Sequence, residues 1–97
     1  MEYTYIFEFE TPLTYRRMDF MAKTSNMLNN YPPLNQGGGF RWKRTYIGQR
    51  GGNWYTVMKC TVPGGLPFDP ADELQRIIDQ RHEDITFTLS TIPSFGW

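Results

Sequence analysis

Two alternating, aromatic-rich runs joined by a glycine cluster limit this chain more than any other feature. They lie within Phe40 to Val62, FRWKRTYIGQRGGNWYTVMKCTV. Each run has the aromatic and β-branched content of a strand. The segment between them, Gly48-Gln49-Arg50-Gly51-Gly52-Asn53, reads as a turn. Consecutive strands with so short a link pair antiparallel, so the stretch is read as a β-hairpin. The length of the glycine cluster predicts a mobile turn, longer than the tight two-residue type.

The flanks repeat one pattern. Upstream, YTYIFEFE over 3–10 alternates Tyr3, Tyr5, Phe7 and Phe9 with Thr4, Ile6, Glu8 and Glu10, the period of a strand. Thr11-Pro12 offers a capping hydroxyl followed by a proline at the first helical position. Leu13, Arg17, Phe20, Met21, Thr24 and Leu28 then recur at three- and four-residue spacing, which predicts a helix over 12–29. Tyr31-Pro32-Pro33 ends it, because proline disfavours helix at itself and just before. Asn35 to Gly39 is a glycine-rich connector. Beyond the hairpin, Pro63-Gly64-Gly65 is a second break, and Asp69-Pro70 repeats the cap-then-proline signal. Leu74, Ile77, Ile78 and Arg81 mark the face of a second helix over 70–82. ITFTLSTI over 85–92 alternates again, and the tail from Pro93 to Trp97 is expected to be irregular.

The order is strand, helix, strand, strand, helix, strand. Two βαβ units with right-handed crossovers give an α+β fold of the ferredoxin-like βαββαβ type. It is a single domain over 1–97, a four-stranded antiparallel sheet with two helices on one face. The helix-covered face is expected to take Tyr3, Tyr5, Phe7 and Phe9, with Ile85, Phe87 and Leu89. From the hairpin it takes Phe40, Trp42, Tyr46, Trp54, Met58, Cys60 and Val62. The open face is left with Arg41, Lys43, Thr45, Tyr55 and Lys59, together with Glu8, Glu10, Thr86, Thr88 and Ser90. Such a fold hosts many unrelated functions and supports none alone.

Ten Lys and Arg balance ten Asp and Glu, so no global charge draws the protein to nucleic acid or membrane. The distribution is uneven. Thr14 to Lys59 carries eight bases against the single acid Asp19, and the acids lie on either side. One basic and one acidic surface are therefore expected. The lone cysteine, Cys60, cannot form an internal disulfide. With no leader-like start and no apolar run of membrane length, a cytoplasmic location is expected.

The binding candidates are Arg41, Lys43, Arg44, Arg50, Tyr55 and Lys59. They would let the hairpin meet a polyanion, nucleic acid or a nucleotide ligand, through phosphate contacts and stacking. The bland reading is that these charges guard an edge strand against unwanted pairing. RNA-recognition domains carry stacking aromatics on the open faces of strands one and three. Here strand one offers Thr4, Ile6 and Glu8, so that pattern is not met. Cys60 and His82 are too few for a zinc site. Cys60 reads as a buried thiol and His82 as a helix end. Asp79, Glu83 and Asp84 read as a solvated helix end rather than a cation site. Gly37-Gly38-Gly39 fits no phosphate loop. No catalytic constellation, cofactor motif or metal set emerges, and a non-enzymatic binding module is expected. The alternative is a protein–protein module facing an acidic protein surface, such as a small inhibitor or a phage-type anti-defence protein. A homodimer through a sheet edge or the open sheet face is also compatible with this layout.

Overall fold

The computed structural model describes residues 1–35 and 41–94. Phe40, the 36–39 connector and the 95–97 tail lie outside the described residues. The elements are β1 (Glu2–Pro12), α1 (Arg17–Asn29), β2 (Lys43–Arg50), β3 (Asn53–Pro63), α2 (Pro70–Arg81) and β4 (Thr86–Ser94). The sheet order is β2-β3-β1-β4, with antiparallel neighbours throughout. That is the ferredoxin-like arrangement the element order predicts.

β1 is the central strand. Its odd residues Tyr5, Phe7 and Phe9 are buried, while its even residues face the open side. They share one core with Phe20, Met27 and Leu28 of α1, and with Leu74, Ile77 and Ile78 of α2. Rings carry much of it. Phe7 packs against Phe9, Trp42 and Phe87 at centroid distances of 5.7, 5.1 and 5.4 Å. Each fully buried Phe contributes about 2–3 kcal/mol of transfer free energy. Trp42 is anchored before β2 begins. Its backbone N–H donates to Asn29 Oδ1 at 3.1 Å, its carbonyl accepts from Asn29 Nδ2 at 3.2 Å, and its indole N–H donates to the Leu34 carbonyl at 3.1 Å.

The two cap-then-proline signals have different outcomes. Asp69 caps α2, accepting from the Ala71 N–H at 2.9 Å with Pro70 in the first turn. Thr11-Pro12 does not open α1. Thr11 stays in β1 opposite Trp54, and its hydroxyl donates to the Asp84 carbonyl at 2.7 Å. A turn closed by Tyr15 N–H to Pro12 O follows, and α1 starts at Arg17 behind an Arg16 N-cap that makes no side-chain capping bond. Leu13, expected on the helix face, is therefore exposed. The extra pairing of β1 with β3 and the buried Thr11 hydrogen bond outweigh a local capping preference.

Three further expectations are corrected. The hairpin turn is tight, because Arg50 pairs with Asn53 and only Gly51 and Gly52 lie between, at φ 58° and 81°. Two positive φ values match the right-handed twist of the flanking strands, and glycine adopts them without steric cost. The start of the tail is regular: Pro93 lies within β4 opposite Tyr3, tolerated because β4 is an edge strand. The third correction is a bulge. The β2–β3 register shifts between Arg44 and Tyr46, so one extra residue, Thr45, stands in β2 and the faces exchange beyond it. Tyr46, expected in the core, is 52% exposed.

Candidate binding face

The bulge determines what the open face of the hairpin presents. Before it, Lys43 pairs with Lys59. After it, Tyr46 pairs with Val57 and Gly48 with Tyr55. Val57 and Tyr55 share parity with Lys59 along β3, whereas Thr56, Met58 and Cys60 are buried. Lys43, Tyr46, Tyr55 and Lys59 thus belong to one surface. Tyr46 and Tyr55 pack with ring centroids 5.8 Å apart and planes at 53°. The Arg50 guanidinium lies 3.8 Å from the Tyr55 centroid.

The acids on this face are occupied by their neighbours. Glu10 accepts from both Nε and Nη2 of Arg50, and from Asn53 Nδ2 at 3.2 Å. The Arg50 hydrogen bond, then that of Asn53, holds the Glu10 carboxyl below its ordinary pKa. The same pair raises that of Arg50. Glu8 accepts from Thr88 Oγ1 at 3.2 Å. Burial, and after it the Glu8 charge, pushes the Tyr55 phenol up. Glu8, Glu10, Arg50, Thr86, Phe87 and Thr88 line a depression of about 260 Å³ on the β1–β4 half of the sheet. The acids border the lysine and tyrosine patch directly: Glu8 stands opposite Val57, the β3 partner of Tyr46, and Glu10 opposite Tyr55.

Among the six residues marked by sequence, Arg41, Lys43 and Lys59 are exposed. Among the described residues none of these three forms an ion pair. Tyr55 is half-buried on the same face as Lys59. Arg50 is exposed but committed to Glu10 and Tyr55.

Arg44 does not join them. It lies opposite buried Met58, on the helix-covered side. Its Nη2 donates to the Met21 carbonyl at 2.8 Å, Thr24 Oγ1 at 3.0 Å and Ser25 Oγ at 2.8 Å, and its Nη1 donates to Thr56 Oγ1. Burial lowers the Arg44 pKa, helped by the Arg17 charge. The signal was present in the sequence, since Arg44 shares parity with Trp42. Tyr46 is the residue that sequence reasoning missed, because nothing in the local pattern marks the bulge.

The other chemistry-bearing groups are inward or paired. Cys60 is buried, and burial raises its thiol pKa. His82 ends α2 in the left-handed region at φ 53°. Glu83 is not solvated as expected: it takes Lys23 Nζ at 2.7 Å, Tyr15 Oη at 3.2 Å and Arg81 Nε at 3.8 Å. Among the described residues no helix is long and apolar enough to cross a membrane.

No protein-family model, curated protein or solved structure matches the chain.

Proposed function

We propose that this protein is a small non-enzymatic binding module that takes a polyanion, nucleic acid or a nucleotide ligand, on the open face of its β2–β3 hairpin. The observation that supports this most directly is the Lys43–Lys59 pair. Like charges directly opposite each other across two strands are destabilising. Both ammonium groups are exposed, and neither has an acid partner among the described residues. An anionic ligand removes that repulsion, and Arg41 adds a third exposed cation just before β2. The bulge and the charges also protect an edge strand, but that role needs no lysine on interior strand β3. The single buried thiol suits a reducing, cytoplasmic setting.

The test replaces Arg41, Lys43 and Lys59 together by Ser. Stability should change by less than about 0.5 kcal/mol, as exposed charges contribute little to folding. Binding to a short mixed-sequence oligonucleotide should weaken strongly. The slope of log affinity against log salt should shrink by roughly 0.7–0.9 per lost phosphate contact. An unchanged slope and affinity would reject the reading. The face would then serve the second reading, a protein–protein module, which the exposed Tyr46 and Ile92 on the sheet favour.

A further inference from the structure

Resting on the polyanion reading, we infer that the ligand is a single-stranded nucleic acid, one of whose unpaired bases stacks on the ring of Tyr46. The observations that carry this concern the tyrosine and not the lysines. A regular strand would have turned Tyr46 into the core with Trp42 and Arg44. The Thr45 bulge turns it outward, and the bulge is held from inside. Buried Thr56 donates from its hydroxyl to the Tyr46 carbonyl at 2.6 Å, and Thr56 is itself held by Arg44. A large aromatic is thus fixed on the surface at 52% exposure.

Its ring lies down over Gly48. A Cβ at position 48 would sit 2.5 Å from Tyr46 Oη and 3.0 Å from Cζ, so a side chain there would lift the ring. Tyr55, across from Gly48, backs the ring at 5.8 Å. The Arg50 guanidinium already occupies Tyr55, which leaves Tyr46 as the more available stacking surface. Lys59 lies two residues along β3 from Val57, the partner of Tyr46, a separation of roughly 7 Å on one face. Lys43 stands beside Lys59. Both are placed to meet phosphates flanking a base on Tyr46, the pairing of stacking ring and cationic track that single strands use. A duplex keeps its base faces inside its own stack and cannot use the ring. A polyanion without bases can use only the lysines.

Fluorescence anisotropy with the full chain would compare single-stranded DNA and RNA of one sequence, the matching duplex and heparin. Either single strand should bind more tightly than duplex and heparin. Tyr46→Ala should weaken single-strand binding roughly tenfold or more, leave the salt slope at the parent value, and leave heparin binding unchanged. Tyr46→Phe should bind as the parent does. If all polyanions bind alike and Tyr46→Ala is silent, base stacking is rejected while the polyanion reading stands. If no probe binds and the Lys43→Ser, Lys59→Ser double variant changes nothing, both are rejected. Unchanged circular dichroism of each variant confirms that the folded protein is being read.

Discussion

Arg44 shows how a cation inside a basic stretch can serve the fold rather than a ligand. Its guanidinium bridges α1 and the hairpin through oxygens of Met21, Thr24, Ser25 and Thr56, none of them a carboxylate. A half-buried guanidinium held only by neutral acceptors retains its charge because each acceptor replaces lost water. Arg44→Met keeps much of the stem but takes a donor from the buried Thr24 and Thr56 hydroxyls, while the Met21 carbonyl keeps the Thr24 hydroxyl at 3.1 Å. Unfolding free energy should fall by about 1–3 kcal/mol, read from urea midpoints at constant m-value. The salt slope for polyanion binding should stay at the parent value, since Arg44 does not face the ligand. A reduced slope would return Arg44 to the binding set.

At the level of elements, the hairpin depends on its two-residue turn and its bulge. Gly51 and Gly52 both have positive φ, and a Cβ at either would meet nothing within 4 Å. Any cost of substitution there is conformational and not steric crowding by neighbours. Gly52→Val should destabilise by about 1–2 kcal/mol, the cost of the left-handed region for an ordinary residue. Gly51→Asn should be nearly neutral, because asparagine is favoured at that turn position. Thermal melts of the two variants should separate them clearly, whereas a mobile turn would tolerate both. The same contrast explains the helix starts. Asp69 had no competing strand partner and capped α2, while Thr11 was claimed by Trp54 across the sheet and by Asp84.

Across the whole molecule, both helices carry mixed charge. α1 holds Arg17 and Lys23 with Asp19, and α2 holds Asp72, Glu73 and Asp79 with Arg76 and Arg81. Exposed Arg41 lies just before β2 and Lys43 opens it. One ionic cluster links α1 to the end of α2. Glu83 is nearly enclosed, with its side chain 9% exposed. Burial alone would raise its pKa, but Lys23, Tyr15 and Arg81 more than offset this, so it lies below the ordinary glutamate value. A depressed carboxyl pKa stabilises the fold fully above the unfolded value, and that contribution disappears as pH falls through the folded value. Glu10 shifts the same way, but its partner Arg50 is exposed, and such a surface pair adds little. Stability should be flat from about pH 7 to pH 5 and drop below about pH 4.5. Glu83→Gln should be less stable at pH 7 and should lose less between pH 5 and pH 3. Parallel denaturation curves for parent and variant at every pH would exclude the cluster as the source.

The order of elements, the inward faces of β1 and α2 and the Asp69 cap are all properties of short windows. Side-chain period and capping chemistry act between residues within a few positions of each other, so they can be read along the chain. The end of β1, the tight turn, the Thr45 bulge and the outward Tyr46 are of another kind. Each depends on which residue of a distant strand lies opposite. β1 runs on to Pro12 because Asn53 and Trp54 are there to pair with it. Tyr46 turns outward because the register with Val57 and the hydroxyl of Thr56 hold an extra residue in β2. The candidate site is divided in the same way. Its lysines were visible as charge in the sequence, but which cations stayed free, and which ring stood beside them, depended on pairing across the sheet.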